Sequence, residues 1–344
     1  MSSLNNASYW TKKVLLFTGI TVAAFIVLRF VISSGTSVWR KYFPPPPPPA
    51  DEKYGTLSPI SFENEGVKGN FEYSIETSDG TLGKFTTVAR VYPIERPVET
   101  LTSLTRAKGK AQSLGFDGDP SKISSNVFRW RQEGRSLDMD VQNDNFMIRT
   151  DSDILNSYSS LSEKNALDFS LSFLKKLSTP AGDFTSENAQ VKYYIPVEGG
   201  DLMETSSKGD AKTSIVSFRR SVLDVYNVDT PVVEEDDLRF LVSIGSSSGP
   251  TRDSIASDVN FYYWKINTAD FGIYPIKSVA QALEELKAGK ANIVKKISST
   301  TKIDIGKISL EYFLNKNLQE YLQPVYVFEG EGFRAIVEAV EKQS

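Results

Sequence analysis

The chain has 344 residues, 40% of them hydrophobic, with no cysteine and no histidine. Those two absences exclude disulfide frameworks, thiol nucleophiles, zinc–cysteine sites, Ser-His-Asp triads and histidine pH switches. The net charge of −4 is uneven: residues 1–41 carry five basic side chains and no acid, which leaves an acidic remainder. An acidic body neutralises no phosphates, so nucleic acid is not an expected partner.

The first element in chain order is Val14–Ile32, 19 residues interrupted by one charge, Arg29. As a helix it spans roughly 28 Å, the thickness of a hydrocarbon core. It reads as an uncleaved membrane anchor. Val14, Phe17 and Phe25 face lipid, Arg29 snorkels to the interface, and Trp39 sits at the boundary. The short tail is expected in the cytoplasm and the body outside it, as in a signal-anchor layout. A body without cysteine tolerates an oxidising compartment. Pro44–Pro49 is an unbroken proline run, a stiff polyproline spacer of roughly 19 Å. The expected organisation is a tail (1–13), a transmembrane helix (14–33), a proline-rich stalk (34–60), a first α+β unit (61–178), a β-rich middle unit (179–275) and a C-terminal module (276–344).

Three segments of the body have helical period. In Leu101–Leu114, Leu104, Ala107, Ala111 and Leu114 share a face and Gly115 closes the helix. In Leu161–Leu177, Ser160 and Glu163 have capping-box spacing, and Leu167, Leu171 and Leu174 line one side. In Val279–Ala288, Ser278 and Gln281 have the same spacing, and Val279, Ala282, Leu283 and Leu286 form an apolar stripe that Gly289 ends. Strand patterns precede the first helix at Phe71–Glu76 and Phe85–Tyr92. They follow it at Val127–Arg131, Leu137–Val141 and Phe146–Thr150. After the second helix they lie at Val191–Val197, Thr213–Val225, Leu238–Ile244 and Val259–Ile266. After the third come Lys302–Phe313, Leu322–Glu329 and Phe333–Val340. The expected fold class is α+β: an N-terminal transmembrane helix, then repeated units of one helix packed on an antiparallel sheet.

Little in this inventory carries chemistry. Asp138 and Asp140 point to one face of a strand whose other face is apolar, which describes a solvated strand better than a metal site. Asp117–Asp119 and Asp151–Asp153 fit turns, and Glu234–Asp237 fits a solvated loop. No phosphate loop or dinucleotide fingerprint is present, and no catalytic, metal-ligating or cofactor-binding residue stands out. A carboxylate pair for glycoside hydrolysis needs neither histidine nor cysteine and stays open as an alternative. Phe261, Tyr263 and Trp264 form the candidate binding surface. The run Phe261–Trp264 places large rings on both faces of a strand, and an open face would stack on a sugar. A buried aromatic strand accounts for the same pattern.

The last 65 or so residues show a family likeness. Tyr274-Pro275-Ile276-Lys277-Ser278 leads into the third helix; Ile308–Phe313 ends in aromatics; Pro324-Val325-Tyr326-Val327-Phe328 follows; Phe333, Ala335, Val337 and Ala339 close the chain. This order resembles the C-terminal module of YycH/YycI-type regulators, whose fold is related to PepSY-like modules. The resemblance implies a single-span extracytoplasmic protein that restrains a sensor kinase, and it carries over no site residue. The layout of anchor, proline run and Gly55–Ile60 is also similar to uncharacterised anchored proteins of Patescibacteria. The expected function is therefore a membrane-anchored extracytoplasmic interaction or regulatory protein with a protein partner in the envelope. The alternatives are an envelope glycan-binding protein and a carboxylate-based hydrolase.

Overall fold

A computed structural model describes residues 47–62, 69–155, 158–177, 183–197, 202–220, 223–225, 228–230, 232–234, 240–247, 254–296, 301–315 and 317–341, with Thr18, Thr21, Phe25 and Arg29. Two large sheets make up the body. The first is eight-stranded: β1 (Glu72–Ile75), β2 (Val88–Pro93), β13 (Val232–Glu234), β16 (Gly272–Pro275), β17 (Asn292–Lys296), β18 (Lys302–Leu314), β19 (Tyr321–Gly330) and β20 (Phe333–Glu338). Its main path runs β1-β18-β19-β2-β16, with β13 on β18, β20 on β19 and β17 on β20.

The second sheet is ten-stranded and lies between β2 and β16 in sequence. It comprises β3 (Ser121–Lys122), β4 (Val127–Gln132), β5 (Arg135–Asp140), β6 (Phe146–Thr150), β7 (Tyr158–Ser160), β8 (Ala189–Pro196), β9 (Leu202–Thr205), β10 (Thr213–Phe218), β14 (Phe240–Ser247) and β15 (Ser254–Phe261). The order is β3-β4-β5-β6-β15-β14-β10-β8-β9, with β7 on β14. Two further short strands are β11 (Leu223–Val225) and β12 (Val228–Thr230).

The helices are α1 (Ser103–Ser113), α2 (Ser152–Leu155), α3 (Glu163–Lys176) and α4 (Val279–Lys287). Ser278 caps α4 through a full capping box with Gln281. The cap of α3 is Ser162, which accepts from the Asn165 amide, and not the expected Ser160. Gly115 and Gly289 close α1 and α4 at φ +84° and +73°, a region only glycine enters cheaply.

Each sheet owns a separate core. Ala107 and Ala111 of α1 and Ala166 and Leu174 of α3 pack with Trp130, Leu137, Ile148, Val216, Phe218 and Val259 on one face of the ten-stranded sheet. In the eight-stranded sheet, Ala282, Leu283 and Leu286 of α4 pack with Tyr326 and Phe328 of β19. The opposite face of β19, Val325 and Val327, packs with Ile60, Phe313 and Phe62. β19 is thus covered on both sides, which is why its sequence is a continuous apolar run rather than an alternation.

The expected fold class needs correction. The protein is predominantly strand, and its helices decorate two large sheets instead of heading repeated helix-plus-sheet units. The local helix and strand patterns were real, but pairing joins strands far apart: β1 and β2 pair with β18 and β19. The transmembrane, single-pass expectation is corrected with it: among the described residues no helix is long and apolar enough to cross a membrane. Of the 14–33 segment only Thr18, Thr21, Phe25 and Arg29 are described, so Val14, Phe17 and Trp39 lie outside the described residues. The described residues of 49–225 and 229–344 form one compact unit.

Candidate functional site

Strand alternation decides what reaches the surface at the end of β15. Val259 and Phe261 point inward, Phe261 stacks on Phe146 with ring centroids 5.0 Å apart, and only 4% of it is exposed. Asn260 and Tyr262 point the other way, onto the face that α1 and α3 leave uncovered. The side chains on that face along neighbouring strands are Val127 and Arg129 of β4, Asp138 and Asp140 of β5, and Met147 of β6, in register Arg129–Asp138–Met147–Asn260.

A groove of about 420 Å³ opens at this end of the sheet. Val127, Asp138, Asp140, Met147 and Tyr262 contribute its wall on the ten-stranded side. Pro97, Trp264, Asn317 and Leu318 close it from the junction with the eight-stranded sheet, and Gln142, Asn143 and Asn145 of the β5–β6 turn form its end. Ligand sites favour such junctions, because two rigid layers hold facing side chains apart.

Of the two carboxylates in the groove, Asp138 is paired with a cation and Asp140 is held by neutral amide donors. Arg129 donates to both carboxylate oxygens of Asp138 through Nε and Nη2. That hydrogen bond, and then the carboxylate charge, raises the Arg129 pKa further. Asp140 accepts from the Gln142 amide at 2.8 Å and the Asn143 side-chain amide at 2.9 Å. Beside the groove, Asp144 pairs with Arg106 and Lys110. Asn145 is buried and its side-chain oxygen accepts from the Tyr263 amide at 2.8 Å, tying the turn to β15. The wall therefore presents fixed acceptors and amide donors with little net charge. No group of three or more carboxylates able to hold a metal ion occurs among the described residues.

The three residues singled out from the sequence fall in three environments. Phe261 is core. Trp264 is 5% exposed, donates its indole N–H to the Asn315 carbonyl at 3.0 Å, and shows the groove only its rim. Tyr263 is half-buried behind it: its hydroxyl donates to Asp183 at 2.6 Å, and the Arg220 guanidinium lies 4.5 Å from its ring centroid. Burial, and then the Asp183 hydrogen bond, hold the Tyr263 hydroxyl protonated far above its ordinary range. The aromatic side chain that faces the groove most directly is Tyr262, which sequence reasoning passed over. Period two already put it opposite Phe261; the missing knowledge was which face α1 and α3 cover.

No family model matches the chain, and no curated protein matches it. Among solved structures, an uncharacterized protein from Eubacterium rectale ATCC 33656 shares 12% identity over 80% of this chain and 91% of its own, with a TM-score of 0.34. A likeness at that level carries no argument about fold or function. The fold and the groove define a β-rich protein with a polar groove at a sheet junction.

Proposed function

We propose that this protein is an extracytoplasmic interaction module whose groove binds a hydroxyl-rich polymer, a glycan of the cell envelope. The observation that carries the reading is the convergence of the Tyr262 phenol ring, four side-chain amides and the cation-paired Asp138 in one groove. Sugars are recognised by an aromatic surface for their C–H faces and by planar donors and acceptors for their hydroxyls. Carboxylates oriented by a fixed partner accept hydrogen bonds without demanding a cation. The absence of cysteine suits the oxidising side of a membrane, where such polymers are met.

The test is affinity of the full-length protein for purified envelope polysaccharide, compared with Tyr262→Ala. Loss of one stacking ring is expected to weaken binding on the order of tenfold, with an unchanged unfolding midpoint because Tyr262 is outside the core. Trp264→Ala is the poorer variant, since it also removes a buried indole and its hydrogen bond. Equal binding by wild type and Tyr262→Ala, or no binding of any glycan at millimolar concentration, removes the proposal. A regulatory reading with a protein partner draws on the rest of the uncovered face, where Arg131 and Arg149 are exposed. Under that reading a protein, and no glycan, competes for the groove.

A further inference from the structure

Tyr262 and Trp264 line the groove, and Tyr263 between them does not. The segment that carries all three lies beyond the ladder: β15 ends at Phe261, and residues 262–265 belong to no strand before the isolated bridge at Ile266. Past the last ladder pair, the order of a backbone depends on the side-chain ties along it. Tyr263 is tied at both ends. Its amide donates to the Asn145 side-chain oxygen at 2.8 Å, and Asn145 itself lines the groove. Its hydroxyl donates at 2.6 Å to Oδ2 of Asp183, the oxygen that also accepts from Arg220 Nη2 at 3.0 Å. The ring stacks on Phe261 with centroids 6.3 Å apart, and the Arg220 guanidinium lies 4.5 Å from its centroid.

The Asp183–Arg220 pair is a poor source of stability. Arg220 is 7% exposed, and its Nη1 is buried with no partner among the described residues. Taking a guanidinium out of water with a donor unfilled costs free energy that one carboxylate does not readily return, and an apolar side chain of that size would serve a core as well. What an apolar side chain cannot supply is a fixed acceptor that gives the Tyr263 hydroxyl one direction. Burial and the Asp183 hydrogen bond keep that hydroxyl protonated, so it stays a donor.

We infer that Tyr263 is a positioning residue for the groove: held by Asp183 and Arg220 at its ring and by Asn145 at its backbone, it fixes the orientation in which Tyr262 meets a ligand. Tyr263, Asp183 and Arg220 do not line the groove, so each acts through a neighbour. The inference rests on the reading of Tyr262 as the ring that stacks on a glycan.

The experiment is Tyr263→Phe in the full-length protein, which deletes one hydroxyl and keeps the ring and the Asp183–Arg220 pair. The first readout is the order parameter of the Tyr262 amide, taken by NMR on protein with isotope-labelled tyrosine and no ligand. It is expected to fall from about 0.85 toward about 0.6. The second is affinity for purified envelope polysaccharide, expected to weaken about fivefold. The control is Tyr326→Phe, which deletes a buried hydroxyl bonded to the Lys277 carbonyl in the other sheet. It is expected to lose comparable stability in urea and no affinity. An unchanged Tyr262 order parameter overturns the inference, as does wild-type affinity in Tyr263→Phe or an equal loss of affinity in Tyr326→Phe. If the wild type binds no polysaccharide, the glycan reading falls and the Tyr262 order parameter alone decides the positioning.

Discussion

Tyr326 shows how a single buried side chain couples this fold to pH. It lies in the centre of β19 against α4, and its hydroxyl donates to the Lys277 carbonyl at 2.8 Å. Burial pushes its pKa up from 10.0 to about 12. The folded state therefore holds the phenolic proton more tightly than the unfolded chain does. The contribution is complete below the unfolded value of 10.0 and is lost as pH rises through about 12. Urea unfolding between about pH 8 and 12 is expected to show stability falling above pH 10. Tyr326→Phe is expected to cost about 1 kcal/mol at neutral pH and to flatten that alkaline decline. An equally steep decline in the variant would assign the effect to another tyrosine. Gly330 illustrates a different residue-scale constraint: a Cβ there would strike the backbone carbonyl of Asp304. No turn chemistry in the sequence announces this, because the neighbour arrives from β18.

At the scale of elements, the parts most legible in the sequence are those whose signals are local. The structure places α4 at Val279–Lys287 against an expected Val279–Ala288, because its cap, its apolar stripe and its terminating glycine all lie within four residues of what they act on. Ser278 accepts from the Gln281 amide at 3.3 Å, and Gln281 accepts in return from the Ser278 amide at 2.7 Å. Ser278→Ala is expected to lower the urea midpoint by an amount equivalent to roughly 1 kcal/mol, with an unchanged slope. A change in slope instead would mean that the cap governs more than one helix end. Besides β3, β7, β12 and β13, strands β9, β16 and β17 escaped the sequence reading. They are short, and β9 and β17 set apolar pairs beside polar pairs instead of alternating, so neither length nor period two marks them. Their existence depends on the strands beside them: β8, β2 and β20.

The whole molecule is one sheet inserted into another. Ile94 and Ile266 form an isolated bridge at the point where the ten-stranded sheet leaves and rejoins the eight-stranded one. The cores on α4 and around Ile60 and Phe62 draw on no residue between 95 and 266, and the core on α1 and α3 draws only on residues within that span. Replacing residues 97–263 by an Asn-Gly turn is therefore expected to leave a shortened chain that unfolds in one cooperative transition. It would be weakened by loss of the β13 pairing on β18. A broad, non-cooperative transition in calorimetry would show that the inserted sheet is needed to hold the outer one together. The candidate groove would vanish in such a chain, since its two walls belong to the two sheets.

From the sequence alone came the exclusion of cysteine and histidine chemistry, the places of α1, α3 and α4, most strands, and the fact that Phe261 and Tyr262 point opposite ways. These follow from composition and from interactions spanning four residues or fewer. The tertiary structure alone decided that β1 pairs with β18 across some 230 residues, that Ile60 and Phe62 cover Val325 and Val327, and that α1 and α3 bury the Phe261 side and leave Tyr262 open. Period two states that a strand has two faces; it carries no information about which partner or which helix arrives at either. The candidate groove lies where distant segments meet, which is why it could not be assembled from local pattern.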